Sequence, residues 1–329
     1  MSTATSIGID FGGTSVKPGV VKEGVILKKG KTIPTVQDGN VDALIATIVA
    51  EINRLKQQYP ETTAVGFGLP GIINPAEGLV VNLTNVKGWR HIPLREIVSQ
   101  KTGLVTNLEN DAKSMAYAEW KYGAGGSLPN VVCVTLGTGI GGGLILNGRL
   151  YRGARMIAGE IGQTSIDYQG NDFVYGNKGA LESYVGIWHI EERAKDIYSS
   201  AGKTLSDEEA QPHKLSAAAD AGDPLALALW ADIGLKLGVG LSNVVWLLNP
   251  HRIVIGGGVA KAGDRLIGKI RNTIRERTEK TFWETLEIVP ATLGNDAGII
   301  GAATLALESE FLPREGKEPR AAQEAAKKK

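Results

Sequence analysis

Cysteine is almost absent. Cys133 stands alone in 329 residues, which excludes an intramolecular disulfide and any cysteine-rich zinc module. Neither sign of charge is in excess: 36 Lys and Arg face 35 Asp and Glu, a net charge of +1. That balance leaves no electrostatic footprint for nucleic acid or for an anionic membrane. No uninterrupted apolar run approaches the length of about 18 residues that a bilayer requires. The start, Met1 to Thr5, is small and polar, so neither signal peptide nor membrane span is expected, and the expected location is the cytoplasm. The four histidines, His91, His189, His213 and His251, do not cluster and read as structural or surface residues. What is present is ordinary globular composition, 43% hydrophobic and 22% charged, in a chain long enough for two domains. One abundance departs from the average. Glycine occurs 43 times, roughly twice ordinary usage, and the glycines are clustered.

The first cluster follows the short apolar run Ile7-Gly8-Ile9-Asp10. Phe11-Gly12-Gly13-Thr14 turns the chain into Val16 to Val21, and Glu23-Gly24 turns it again into Val25 to Leu27, which reads as a β-meander. From Asp42 to Gln58, Leu44, Ile45, Ile48, Val49, Ile52 and Leu55 share one face at helical spacing. Ala64 to Leu69 reads as a strand, the Asn- and Gly-rich stretch after Gly71 as a loop, and Leu94 to Gly103 as a helix. Strand Leu104 to Leu108 then runs into Glu109-Asn110-Asp111 and helix Ala112 to Tyr122. At Val131 the opening pattern returns: shifted by 125 positions, Phe11-Gly12 overlays Leu136-Gly137, a duplicated strand–glycine turn–strand unit.

Past residue 150 longer helices take over. Ser206 to Glu209 has the form of a capping box opening a short helix. Pro224 to Leu248 is a long helix with Ala226, Trp230, Ile233, Leu237, Leu241 and Val244 on one stripe, and its Gly234 and Gly238 predict close packing against another helix. Strand Arg252 to Ile255 ends in Gly256-Gly257-Gly258; helix Asp264 to Lys280, strand Leu286 to Val289 and a helix from Ala297 follow, with a polar tail after Pro313. Strands alternating with helices in both halves predict a two-domain α/β protein.

Two glycine turns could hold phosphate. In Asp10-Phe-Gly12-Gly13-Thr14-Ser-Val-Lys17 the paired glycines admit backbone N–H groups close to an anion, Thr14 offers a hydroxyl, Lys17 a positive charge, and Asp10 a carboxylate suited to hydrated magnesium. The second turn, Gly137-Thr138-Gly139-Ile-Gly141-Gly142-Gly143, contains dinucleotide-binding spacing, but Leu144-Ile145-Leu146 before an Asn-Gly turn reads as a returning strand where that site needs a helix. Two such turns facing each other would clamp a nucleotide from both sides. Asp111, just past a strand end, reads equally well as a general base or as the N-cap of the following helix.

In order and spacing, Asp10-Phe-Gly-Gly-Thr-Ser-Val-Lys17, Glu109-Asn-Asp111, Leu136-Gly-Thr-Gly-Ile-Gly-Gly-Gly143 and Ala158-Gly-Glu160-Ile-Gly162 resemble the ROK family. That family comprises sugar kinases such as glucokinase, and related repressors, within the actin-like ATPase superfamily. The resemblance runs from about residue 6 to residue 310. It implies two actin-like (ribonuclease H-like) α/β domains, each a mixed sheet flanked by helices, with a cleft between them. Residues 1–111 would form the smaller domain, joined by a C-terminal helix at about 297–312; residues 112–296 would form the larger one, and 313–329 a polar tail.

The resemblance also implies roles. Asp111 matches the family's general base. Asn110, Glu160, Glu182, Gly71 and Asn85 lie where the family contacts sugar; Gly12, Gly13, Thr14, Lys17, Gly137, Thr138, Gly139 and Gly257 lie on the nucleotide side, with Mg²⁺ and ATP near Asp10. The implied reaction is ATP-dependent phosphorylation of a hexose, glucose first, by a homodimer. Another hexose or an N-acetylhexosamine (fructose, N-acetylglucosamine, N-acetylmannosamine) is an alternative substrate, and polyphosphate an alternative donor, although no dense Lys/Arg run borders either turn. A sugar-sensing regulator without catalysis is a further alternative; family repressors carry a DNA-binding helix-turn-helix before the first strand, where here six residues precede Ile7, so this alternative is not the expected one. A nicotinamide oxidoreductase rests only on the Gly137–Gly142 spacing.

The chain departs from the family at its zinc site. Gln163 stands at the histidine position and Phe173, Tyr175 and Ala180 at the cysteine positions, so no zinc is expected. Gln163 retains an amide for a sugar hydroxyl, and packing of Phe173 and Tyr175 is expected to hold the loop instead.

Overall fold

The computed structural model describes residues 4–35, 40–83 and 86–308. In the first half, β1 (Thr5–Phe11), β2 (Ser15–Lys22) and β3 (Val25–Lys29) form the expected meander, followed by the two-residue β4 (Ile33–Pro34), α1 (Val41–Gln58) and β5 (Thr62–Leu69). Next come β6 (Ile72–Asn74), β7 (Leu79–Asn82), β8 (Arg90–Ile92), α2 (Leu94–Thr102), β9 (Val105–Asn110) and α3 (Asp111–Tyr122). The second half repeats the scheme with β10 (Val131–Leu136), β11 (Ile140–Leu146) and β12 (Arg149–Tyr151), then α4 (Glu182–Val185), α5 (Ile187–Ser200), α6 (Pro212–Asp220) and α7 (Pro224–Leu248). It closes with β13 (Arg252–Gly256), α8 (Asp264–Arg277), α9 (Lys280–Trp283), β14 (Glu287–Pro290) and α10 (Ala297–Ala306).

The duplication is a duplication of topology. One sheet runs β3-β2-β1-β5-β9 and the other β12-β11-β10-β13-β14, each an antiparallel meander continued by two parallel strands. The sequence offset is 125 up to the first turn. Phe11 pairs with Val16, whereas Leu136 pairs with Ile140, so the second turn is one residue shorter. Beyond it Glu23-Gly24 matches Asn147-Gly148, and all four residues have left-handed φ, the geometry that a two-residue hairpin turn with right-handed strand twist demands.

The layers follow from which faces are apolar. The periodic face of α1 packs with α2 on one side of the first sheet. Helices α4 to α8 cover the outer side of the second sheet, around the buried stripe of α7. Between the sheets lie α3 and α10, crossing each other. A Cβ at Gly301 of α10 would stand 1.8 Å from the carbonyl oxygen of Ser114 on α3, and Cβ atoms at Gly8 and Gly66 would stand 1.9 Å from carbonyl oxygens of Ile299 and Ala302. Backbone is therefore packed directly on backbone, which only glycine permits.

Helix α7 is long and apolar enough to cross a membrane by length and composition, but more than half of its most apolar 18-residue stretch is buried inside the protein. Cβ atoms at Gly234 and Gly238 would lie 2.8 and 2.4 Å from the Cβ atoms of Lys269 and Thr273 on α8, so the glycine pair serves helix packing, as its sequence context predicts.

Four local expectations need correction. The stretch after Gly71 is a three-stranded antiparallel sheet, β6-β7-β8, pinned by buried Val80, Leu83 and Trp89, with Trp89 set edge-on to Phe11 at 5.0 Å between ring centroids. Its strands are too short for an alternating pattern to register. The Ser206/Glu209 capping bonds form, with Ser206 N–H donating to the Glu209 carboxylate at 2.8 Å, but they close only a turn, and the helix starts at Pro212. The helix from Asp264 stops at Arg277, where Thr278 turns extended, and restarts as α9. The C-terminal helix ends at Ala306; positions 309–312 of the expected helix and the tail 313–329 lie outside the described residues.

Candidate active site

Asp10 is near the end of β1, directly across the ladder from Lys17 on β2. Its Oδ2 lies 3.7 Å from Lys17 Nζ. Burial raises the Asp10 pKa and the lysine opposes that rise. The turn between the strands closes with Gly12 N–H donating to Ser15 O at 2.9 Å. Thr35 braces it from outside: its hydroxyl donates to Gly12 O at 3.0 Å, and its N–H donates to Thr14 O at 2.9 Å. No sequence signal marks Thr35 for this role.

In the second turn Gly137 N–H donates to Gly139 O at 2.9 Å. The chain then returns as β11, antiparallel to β10, so the turn runs into a strand and not into the helix that the dinucleotide-binding reading of Gly137, Gly139 and Gly142 requires. Behind the turn stands Glu182, the first residue of α4. Its Oε2 accepts the Ile140 N–H at 2.7 Å, and Gln163 Nε2 lies 3.4 Å from its Oε1. Thr138 is packed against the start of α5, where a Cβ on Gly186 would stand 2.8 Å from the Thr138 carbonyl oxygen.

Between the two sheets opens a cavity of about 360 Å³, walled by Asp10 and Lys17 on one side and by Gly256, Gly257, Gly258 and Lys261 on the other. The tips of the two turns, Gly12 to Thr14 and Gly137 to Gly139, are not part of that wall. Gly257 follows β13 with φ +87°, and a Cβ there would stand 2.2 Å from Leu136 O, so its backbone fits only as glycine. Lys261 and Asn295, which also face the cavity, carry no motif in the sequence and are found only by the fold.

Asp111 opens α3 immediately after β9. The helix is capped one residue earlier: Asn110 Oδ1 accepts the Lys113 N–H at 3.2 Å. Asp111 is thus released from the N-cap role that its position suggested, and its Oδ1 accepts the N–H of Ala112 at 2.8 Å. Burial, together with the carboxylates of Asp10 and Glu160, pushes its pKa up to about 6. A carboxyl held there is a working base near neutral pH. Asn110 also leans on the neighbouring loop, its Nδ2 lying 3.5 Å from Gly71 O, while Gly71 turns through φ +101°. Glu160 is raised by burial as well, opposed by Lys113 and reinforced by Glu182. Asp10, Asp111, Glu160 and Glu182 are therefore linked electrostatically in a chain, Asp10 to Asp111, Asp111 to Glu160 and Glu160 to Glu182. Asn85 lies outside the described residues.

The loop that departs from the zinc motif is tied by backbone. Ser165 and Ala180 form a β-bridge, as do Asp172 and Lys178, and Asn177 Nδ2 donates to Gln163 O at 2.7 Å. Phe173 meets the His189 ring at 6.3 Å, but Tyr175 is 69% exposed, so of the two expected packing residues only Phe173 packs. Among the described residues, no group of three His, Cys, Asp or Glu converges as a metal site.

Comparison with known proteins puts these features in one lineage. The family model described as the ROK family matches residues 6–309. A glucokinase of Halalkalibacterium halodurans is 34% identical over 331 residues, covering 97% of this chain and 99% of its own. Among solved structures, a ROK family glucokinase from Streptomyces griseus in complex with glucose and AMPPNP superimposes with a TM-score of 0.77 at 31% identity, over 92% of this chain and 99% of that one. The ROK hexokinase of Thermus thermophilus gives a TM-score of 0.77 at 29% identity, over 92% and 97% of the two chains. The paired sheets are thus the actin-like fold of these sugar kinases, and because the match spans both glycine turns and everything between them, this chain belongs to the ROK family.

Proposed function

We propose that this protein, a hexose kinase of the ROK family, transfers the γ-phosphoryl group of ATP to the primary hydroxyl of glucose, with Asp111 as the general base. The observation that carries the reading is the half-buried carboxyl that opens α3, held near pKa 6 in part by the charge of Asp10, which itself walls the cavity with Lys17 and Gly257. Phosphoryl transfer asks little covalent chemistry of a protein; positioning and charge stabilisation dominate. Asp111 takes the proton of the attacking hydroxyl. Glu160, Gln163 and Glu182, with Gly71 and Asn110, hold the sugar's other hydroxyls, and Asn85 belongs to the same set. Gly12, Gly13, Thr14, Gly137, Thr138, Gly139 and Gly257 take the nucleotide, and Lys17 sets a positive charge beside its phosphates. The Asp10 carboxylate, a hard oxygen donor open to the cavity, fits magnesium, which when bound would neutralise phosphate charge. The division between halves falls at residues 111 and 112, with α10 returning to the first half. The active form is a cytoplasmic homodimer, checked by sedimentation.

The deciding experiment is an ADP-release screen over hexoses and N-acetylhexosamines, with ATP and polyphosphate as donors. Glucose with ATP and Mg²⁺ is expected to give the highest kcat/KM; sugar binding without any phosphorylation would favour a sugar-sensing regulator instead. The reading assigns no role to zinc, since Gln163, Phe173, Tyr175 and Ala180 replace its ligands. Activity is therefore expected to survive dialysis against a zinc chelator with magnesium restored, and its loss would overturn that assignment. Gly257→Ala tests the nucleotide side. Its Cβ must displace the Leu136 backbone, so the KM for ATP is expected to rise about tenfold or more while the hexose KM moves less than about threefold, a difference of more than roughly 0.7 kcal/mol between the two ligands.

A further inference from the structure

The first turn of α3 carries a buried charge cluster for which the chemistry above has no use. Lys113, two positions after Asp111, is 2% exposed, and its Nζ donates to the carbonyl oxygen of Met156 at 2.9 Å. Met156 lies in the 152–160 segment, which leads from the end of β12 to Glu160. That segment bends through left-handed φ three times, at Gly153 (71°), Met156 (64°) and Gly159 (97°). Glycine enters that region freely, whereas methionine stays there only where its surroundings hold it. The Lys113 ammonium grips the carbonyl of that residue.

A second buried cation fixes the start of the same segment. Arg152 Nε donates to Glu109 Oε2 at 2.5 Å, with the two side chains 9% and 3% exposed. Arg152 O accepts the Ala158 N–H at 2.9 Å, and Glu109 Oε1 accepts the Asn110 N–H at 2.9 Å. Both ties therefore end on residues that bracket Asn110 and Asp111. Local preference argues against Lys113. A cation in the first turn of a helix opposes the helix dipole, and burial lowers the lysine pKa, with Glu109, Glu160 and Asp111 holding it charged. A residue that breaks its local rules is where a role set by the tertiary structure is to be sought.

We propose that Lys113 is a positioning residue for the hexose: it staples the Glu160 segment to the helix turn that carries Asp111, so that the base and the sugar-binding carboxylate keep one spacing. The inference rests on the roles given to Asp111 and Glu160 above. The test is Lys113→Met, which keeps the apolar stem and removes the ammonium. The hexose KM is expected to rise about tenfold or more, while the KM for ATP stays within about twofold. Adding Met156→Gly to that variant is expected to recover a large part of the hexose KM, because glycine holds the bend without a staple; a merely structural lysine would show neither the split nor the rescue. Should Lys113→Met not fold, Lys113→Gln, which falls short of Met156, takes the same two readings. A folded variant with an unchanged hexose KM, or with both KM values raised alike, overturns the inference. Asp111→Asn run in parallel separates the two failures. If it keeps full turnover, the reading of the site fails; if it is inactive while Lys113→Met keeps the normal hexose KM, only the staple fails.

Discussion

Asp111→Asn is expected to lower kcat by about 10²–10⁴-fold, the contribution of a positioned general base, while the hexose KM changes little. The amide keeps the shape and can still accept the Ala112 N–H, so the loss falls on proton transfer. The wild-type pH profile follows from the same carboxyl. Because the base must be ionised, kcat/KM is expected to fall as pH drops through about 6, the value to which burial and the nearby carboxylates push Asp111. Stability moves the opposite way. The folded pKa lies above the unfolded value of about 3.9, so the folded protein binds more protons between those values and loses stability as pH rises through that window. Above pH 6 the whole penalty is present, about 2 kcal/mol once contact with cleft water is allowed for. Asp111→Asn should therefore be more stable than wild type at pH 8 and lose that advantage below about pH 4. Denaturant midpoints at the two pH values measure it. A variant less stable at pH 8, or one with near-normal turnover, would remove Asp111 from the role of a strained base.

The largest structural effect is expected at Gly301. A Cβ there would meet Ser114 O at 1.8 Å and Ser114 C at 2.5 Å. Both atoms belong to backbone inside α3, so no side chain can swing away, and the helices must separate. Gly301→Ala is expected to cost more than about 3 kcal/mol, at the upper end of overpacking, seen as a Tm lower by about 10 °C or as protein recovered only in aggregates. Gly268, in the middle of α8, is the control. Its nearest neighbour would be Asp264 Oδ1 at 3.9 Å, and alanine there should stabilise by about 0.5–1 kcal/mol through helix propensity. Equal effects at the two positions would mean that the crossing of α3 and α10 yields more easily than its backbone contacts require. That crossing matters for function because α3 begins with Asp111 and α10 begins beside Asp10, where a Cβ on Gly298 would stand 2.8 Å from Asp10 Oδ1.

Much of this was legible before any coordinates. The faces of α1 and α7, the glycine turns and the returning strand at β11 all follow from local period and local turn chemistry, which neighbouring residues alone decide, while the family was legible as a resemblance in the order and spacing of four motifs. Even the repeat was visible, although its offset slips from 125 to 124 at a turn where only strand pairing counts the residues. Local rules misled where two of them competed: Asp111 and Asn110 are both good caps, and the fold gave the cap to Asn110.

Tertiary structure alone decided the rest. That Gly301 lies on Ser114, that Lys113 grips the carbonyl of Met156, 43 positions away, and that Glu182 stands behind the second glycine turn are facts about elements meeting in space. Such contacts are set by how sheets twist and helices cross, and these depend on all the packed faces at once. A sequence read in windows carries the propensity of each piece, but the distance between pieces comes into being only when the core closes.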